Sequence, residues 1–308
     1  SRRRSCCAPG ARARWLGLGS LQIALPPVLS LGTPEQVARI VPPVLAGEEI
    51  AALAITEPDT GSDVAGIRTR AVRDGDHYVL DGAKTYITSG VRADVVLTLA
   101  RTGDDPHQGL TFFAVRRGTP GFSVSRALRK TGWWASDTAE LSFEGCRVPV
   151  SDRIGPEGSG FIALMHDFST ERLMLAVQGY ALAEAALDES IAWARQRKAF
   201  GRPIGKFQVV KHKLARMATQ VTSAKALTYA VADRLRDGQA GMAEIAMAKN
   251  HAAEVAQEVC WEAVQIHGGM GYMREAKVER WARDARLLPI GGGTTEIMNE
   301  LIARGLGL

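Results

Sequence analysis

The sequence predicts an α+β protein in three consecutive parts: a partial helical segment over residues 1–55, a central β-sandwich or small barrel over 56–152, and a C-terminal four-helix bundle over 153–308. Two observations predict it. In the middle third, apolar and polar residues alternate in short runs separated by turn signals, the two-residue period of half-buried strands. After about residue 157 the apolar residues recur three and four positions apart, the period of amphipathic helices. No internal repeat is visible.

Residues 21–50 read as helical. In TPEQVARIVPPVL, Thr33 is placed to cap a helix that starts at Pro34, where a missing N–H costs nothing. In DHYVLDGAKTYITSG two strands are expected to join in a hairpin at Asp81-Gly82. ADVVLTLART, GLTFFAVRRG, GFSVSRAL and TAELSFEGCRV continue the strand pattern. Phe161, Leu164, Met165 and Phe168, then Leu175, Gly179, Leu182 and Ala186, mark one face of helical sequence. Phe207, Val210, Leu214, Met217 and Val221 mark a second helix. The third, GQAGMAEIAMAKNHAAEVAQEVCWEAVQIHGG, has the alanine content for close packing and stops at Gly268-Gly269. TTEIMNELIAR supplies a short fourth, and short connections make neighbouring helices antiparallel.

The start of the chain departs from this pattern. SRRRSCCAPGARAR carries five arginines and no acid, ahead of WLGLGSLQIAL, in the manner of the basic and apolar regions of a secretory signal. Ser20, Gln22 and Pro26-Pro27 interrupt the apolar run before it reaches the roughly 18–20 residues of a membrane span. The expectation is a truncated or misread start rather than a cleaved targeting segment, and no integral membrane segment. The 38 basic residues exceed the 33 acidic ones without forming blocks, which suits an anionic small ligand and not a nucleic acid. Cys6, Cys7, Cys146 and Cys260 lack C-x-x-C or metal-ligand spacing, so neither a metal site nor a disulfide framework is expected, and a reducing compartment is the default.

Individually the polar motifs have ordinary explanations. ITEPDTGSD, residues 55–63, reads as a surface turn, and QRKAFGRPIGKFQ, 196–208, as a link between helices. QIHGGMGY, 265–272, reads as a helix C-cap with His267 a satisfied core or surface residue and not a ligand, and Glu171-Arg172 as an exposed ion pair. In LLPIGGGTTEIMNELIAR, 287–304, three glycines lead into a helix as they do where a backbone approaches phosphate, yet no Lys follows and the Walker A pattern fails.

Together, LAITEPDTGSD, KTYITSG, GWWASDTAELSF, STERLMLAVQGYALAEAALDESIAWARQRKAFGRPIGKFQ and AVQIHGGMGYMREAKVERWARDARLLPIGGGTTEI follow one order. In these motifs the chain, from about Leu21 onward, resembles the acyl-CoA dehydrogenases. The resemblance implies an FAD flavoenzyme of fatty-acid β-oxidation that converts an acyl-CoA to the trans-2-enoyl-CoA. It also implies a homotetramer and an electron-transfer flavoprotein as acceptor. The compartment would be the bacterial cytoplasm, or the mitochondrial matrix in a eukaryote. Residues 1–55 would be the remnant of the family's longer N-terminal helical domain.

By the same resemblance Ile55 and Thr56 would line the flavin pyrimidine, Tyr86, Ile87 and Thr88 the ring's other face and N5, and Gly61 and Ser62 a close backbone approach to flavin and thioester. Arg197 would clamp the FAD pyrophosphate, Phe200 would pack on the adenine portion, and Gln208, Gln265, Gly268 and Gly269 would complete that pocket, offered to a neighbouring subunit. Gly293, Thr294 and Glu296 would meet the diphosphate-ribose arm. Ser62, Phe168, Arg172, Gly292, Gly293 and Arg304 would contact substrate.

The resemblance also places the general base. Many family members carry a Glu where this chain has Gly292; a minority, the long-chain and isovaleryl type, carry it on the first bundle helix, and the matching position is Glu171. Glu171 would take the α-proton while the β-hydrogen leaves as hydride to flavin N5. Burial would raise the pKa of Glu171 and Arg172 would lower it. Two alternatives are a catalytically impaired family-like subunit and a flavin oxidase or monooxygenase of the same fold.

Overall fold

The computed structural model describes residues 23–308, so the arginine-rich stretch expected to be a truncated or misread start lies outside the described residues. The chain forms two compact units. The first holds the described residues through Lys130 together with Trp134–Phe168, and the second holds Thr131–Trp133 and Ser169–Leu308.

In the first unit two short helices, α1 (Pro26–Leu31) and α2 (Pro34–Ala46), precede the sheet. Thr33 caps α2 as expected: its Oγ1 accepts from Gln36 N, the Gln36 side chain accepts from Thr33 N, and Pro34 takes the first position. Eight strands follow: β1 (Ala51–Ala54), β2 (Arg70–Asp74), β3 (His77–Thr88), β4 (Val95–Arg101), β5 (Leu110–Arg116), β6 (Phe122–Ala127), β7 (Thr138–Pro149) and β8 (Arg153–Ile154). Their order is β6-β7-β3-β2-β4-β5-β8, with β1 lying parallel on β4 in the register Ala51↔Val95. β4 is buried on both sides, which explains why it is apolar from Val95 to Ala100 apart from the buried Thr98. Val95, Leu97 and Leu99 pack with Val28, Ile40 and Val44 of the helices. Val96 and Ala100 face the other way, into a core with Tyr78, Leu80, Leu141 and Phe143 of β3 and β7.

The hairpin expected at Asp81-Gly82 is not there. β3 runs straight through, and the register against β7 shifts between Leu80 and Gly82, a β-bulge. The turn lies one Asp-Gly earlier, at Asp74-Gly75, between β2 and β3, where Gly75 has φ 62. Gly82 has φ 149, and a Cβ on it would stand 2.6 Å from Thr69 Oγ1 and 2.7 Å from Thr69 Cα. Its glycine serves the bulge and the close approach of residue 69.

The helical sequence from residue 157 contains α3 (Gly160–Gln196), a single helix of 37 residues whose first turns belong to the first unit. In the second unit it is followed by a two-stranded hairpin, β9 (Lys198–Ala199) and β10 (Arg202–Pro203), then α4 (Gln208–Arg236), α5 (Met242–His267), α6 (Lys277–Ala285) and α7 (Thr295–Gly305). Gly179 admits α5 closely: a Cβ there would stand 2.7 Å from Ala252 O. The core joins Ala183 and Ala186 to Met217, Val221, Ala252, Val259 and Ala263. The helix α6 was not expected, although Val278, Trp281 and Ala285 bury one of its faces and Glu279 pairs with Arg283. Among the described residues no helix is long and apolar enough to cross a membrane.

Replacing Gly82 by Ala should destabilise the protein by about 2–4 kcal/mol, from the left-handed backbone and the contact with Thr69 together. Urea denaturation checks this; an unchanged midpoint would show that the bulge relaxes without cost.

Candidate active site

In the second unit the glycine loop lies against α3. Gly292 and Gly293 have φ 64 and 98, the left-handed region that favours glycine. A Cβ on Gly292 would stand 2.5 Å from Leu175 Cδ1 and 3.8 Å from Glu171 Oε1; one on Gly293 would stand 3.7 Å from Arg172 Nη2 and 2.7 Å from Met298 Cε. The space that a side chain at position 292 would enter is therefore taken by Leu175 and bordered by the Glu171 carboxylate.

Glu171 and Arg172 are not an exposed ion pair. Arg172 is buried, and its Nε donates to Gly292 O at 3.1 Å. The Glu171 residue is half-buried, with its carboxyl enclosed by protein. Burial pushes its pKa up to about 7, against the opposing charges of Arg172 and then Lys249. Burial thus outweighs the arginine. Lys249, on α5, was not foreseen. It is fully buried, its Nζ donates to Gly293 O at 2.6 Å, and burial followed by the Arg172 charge brings its pKa down to about 8, while Glu171 and Glu296 oppose that shift. The signal was present in the sequence: Ile245, Lys249 and Ala253 fall four apart on the buried stripe of α5, so the lysine stands where an apolar residue would.

Both loop carbonyls are thus occupied by cations. The amide N–H groups of Gly292 and Gly293 donate to no protein acceptor among the described residues. Thr294 caps α7, its Oγ1 accepting from Ile297 N at 3.4 Å, and Glu296 is exposed in the first turn. Arg304 is exposed near the end of α7.

The residues expected around the FAD adenylate sit elsewhere in this unit. Phe200 and Gly201, with φ 50 and 78, form the turn of the β9–β10 hairpin, and Phe200 is 95% exposed. Arg197 and Gln208 flank it and are exposed, as are Gln265, Gly268 and Gly269 at the end of α5. Gln208 also lines a groove of ≈ 680 Å³ on α4 and α5 that includes none of the Glu171 cluster. His267 is a core residue, stacked on Trp193 with its Nδ1 at 2.7 Å from Ala263 O.

In the first unit, Ile55 and Thr56 are held through their carbonyls: Lys84 Nζ donates to Ile55 O at 2.8 Å and Thr85 N to Thr56 O at 2.8 Å. Lys84 is fully buried and also pairs with Glu57 at 2.9 Å, a second pair that sequence reasoning missed. Burial lowers the Lys84 pKa to about 8, partly offset by Glu57. Burial also raises Glu57, but the Lys84 charge and donors from Thr69 and Arg68 outweigh it and hold the carboxyl below its ordinary value. Gly61 and Ser62 are exposed on the following loop. Tyr86 has φ 60 and is 69% exposed, Thr88 is half-buried, and the Ile87 side chain enters the sheet core while its carbonyl accepts from Gly90 N at 3.1 Å. Phe168 packs on the core shared by β4, β5 and α2.

Comparison with known proteins covers most of the chain. Residues 52–146 match the acyl-CoA dehydrogenase middle domain and residues 158–307 the acyl-CoA dehydrogenase C-terminal domain. The mitochondrial long-chain specific acyl-CoA dehydrogenase of Sus scrofa is 40% identical over 92% of this chain, which spans 66% of that protein's length. A solved acyl-CoA dehydrogenase from Geobacillus kaustophilus is 40% identical, with a TM-score of 0.92 over 95% of this chain and 78% of the other. The FAD complex of PigA is 29% identical, with a TM-score of 0.92 over 96% and 78% of the two chains.

Two stability outcomes follow from these buried charges. Lys84→Met should cost about 3–5 kcal/mol in chemical denaturation, because it strands the Glu57 carboxylate. Glu171 has its carboxyl pKa raised by folding, so its stabilising contribution is complete below pH 4.5 and is lost as pH rises through about 7. The stability of Glu171→Gln relative to wild type should therefore grow across that window, by roughly 2–3 kcal/mol at most. A difference independent of pH would contradict the placement of the carboxyl.

Proposed function

The chain belongs to the acyl-CoA dehydrogenase family, and from that membership we propose that it oxidises the α,β bond of an acyl-CoA thioester to the trans-2-enoyl-CoA, with Glu171 as general base. FAD is the cofactor this family carries. The observation that supports Glu171 is its Oε1, 3.8 Å from where a side chain at position 292 would begin. A carboxylate reaching in from α3 and one reaching down from the loop serve the same place.

The residues fit the cofactor. Tyr86 and Phe200 are aromatic side chains held exposed by left-handed backbone, an arrangement that costs conformational and solvation energy unless a ligand or partner covers it. Ile55 and Thr56, with their carbonyls tied back, and Tyr86, Ile87 and Thr88 would hold the ring. Arg197, Phe200, Gln208, Gln265, Gly268 and Gly269 would hold the adenylate arm of a neighbouring subunit, which requires an oligomer, and a homotetramer is the form proposed. Thr294 and Glu296 are assigned to the diphosphate-ribose arm. Bound FAD would supply a two-electron acceptor for the β-hydrogen and its bonding pair.

The rest is the work of the chain. The unpartnered N–H groups of Gly292 and Gly293 would donate to the thioester carbonyl and so acidify the α-carbon. Glu171, with a pKa near neutrality, takes the α-proton onto a carboxylate oxygen and releases it to solvent after product leaves. Arg172 holds the loop, and Ser62, Phe168, Arg172 and Arg304 are assigned to the acyl-CoA. An electron-transfer flavoprotein is the proposed acceptor that returns the enzyme to its oxidised state.

Mixing the FAD-loaded protein with acyl-CoA in the absence of oxygen tests the reading. Wild type should bleach, and Glu171→Gln should keep its flavin yet bleach about 10²–10⁴-fold more slowly. Because the base must be ionised, kcat/KM should rise tenfold per pH unit up to about 7 and then level off. Bleaching of the Gln variant at the wild-type rate would overturn the assignment.

A further inference from the structure

We propose that Lys249 is a positioning residue: from α5 its buried ammonium holds the Gly293 carbonyl while Arg172, from α3, holds that of Gly292, and the two cations together clamp the glycine loop over Glu171 and favour its ionised form. The inference rests on Glu171 as the base.

Three observations carry it. Lys249 has no exposed surface and spends a hydrogen bond of 2.6 Å on one loop carbonyl, while Arg172 spends one of 3.1 Å on the preceding carbonyl. Successive carbonyls held from two different helices leave the loop little freedom to swing, and its amide donors keep one position. Second, the Arg172 charge reaches Lys249 and, after burial, helps to lower its pKa. If anchoring the loop were the whole purpose, a neutral donor such as Gln would do it without placing like charges together in a poorly solvated space. Third, the charges that face Glu171 come from Arg172 on its own helix and Lys249 on α5. Glu296 on α7 faces Lys249, and Arg286 in turn faces Glu296. With Glu171 ionised, the Glu171, Arg172 and Lys249 group carries one net positive charge; with it protonated, two. Ionisation therefore relieves the repulsion between the cations, and removing Lys249 withdraws that help.

The test separates charge from anchoring. Lys249→Met removes both; Lys249→Gln keeps a donor for Gly293 O and removes the charge. In FAD-loaded protein the protonated-carboxyl band of Glu171 can be followed by infrared difference spectroscopy across pH, and assigned by its loss in Glu171→Gln. Its midpoint should rise by about one pH unit in both variants. The ascending limb of kcat/KM should move up with it, lowering activity about tenfold below neutrality. Above the new midpoint Lys249→Gln should recover and Lys249→Met should not. An unchanged band midpoint in folded Lys249→Gln overturns the proposal. If Lys249→Met fails to fold, the Gln variant carries the same comparison. The titration needs no turnover, so a wild-type protein inert toward acyl-CoA would sink the dehydrogenase reading while the band midpoint still decides the role of Lys249.

Discussion

Desolvation of charged side chains against backbone carbonyls organises both units. A cation withdrawn from water must find oxygen acceptors, and in this chain the acceptors are the carbonyls of the loops that matter most: Lys84 on Ile55, Arg172 on Gly292, Lys249 on Gly293. Ile55 and Leu288 anchor these stretches in apolar cores, but packing does not orient the loop carbonyls. Buried ammonium and guanidinium groups fix them instead, because a bond to a charged donor is shorter and stronger than a neutral one and is costly to leave unmade. The same withdrawal from water pushes the pKa of the Glu171 carboxyl up to about 7.

Much of this architecture was legible from residue order. The change from a two-residue to a 3.6-residue period places the sheet and the helices, and Thr33-Pro34 places the start of α2. Glu171 was legible only through the family resemblance, since an acid followed by an arginine on a helix is ordinarily solvated. What stayed hidden depended on which side of an element a charge faces. Lys84 keeps the parity of the inward Tyr78 and Leu80 on β3, but the exposed Asp81, Gly82 and Ala83 between them hide that the buried face continues to a lysine. Lys249 interrupts the apolar stripe of α5, and that position is its one local sign; a lone lysine in an alanine-rich helix otherwise reads as solvated. The misplaced hairpin has a related cause: Asp-Gly occurs at both 74–75 and 81–82, and only the pairing of β3 with β2 and β7 together decides which of them turns.

The proposed place of the base illustrates how a fold could move a reactive group without moving the reaction. Gly292 is left-handed, Leu175 fills the space in front of it, and the carboxylate arrives from the helix. A glutamate on the loop would have to adopt a backbone conformation poor for any residue with a Cβ and displace Leu175. The glycine and the helix-borne acid therefore belong together: a side chain at 292 overcrowds Leu175, and on the proposed reading loss of Glu171 removes the proton acceptor.

The pairing of β3 with β7 bears on how the chain reaches this state. Three intervening strands must be placed before these two can lie side by side along nearly their full length, whereas α4 and α5 are joined by a short connection. Closing the longer loop costs more chain entropy before any contact rewards it. The helical unit should therefore acquire its order early and the sheet unit late, so a nascent chain holds Ile55 and Tyr86 in no defined relation until the last ladder zips.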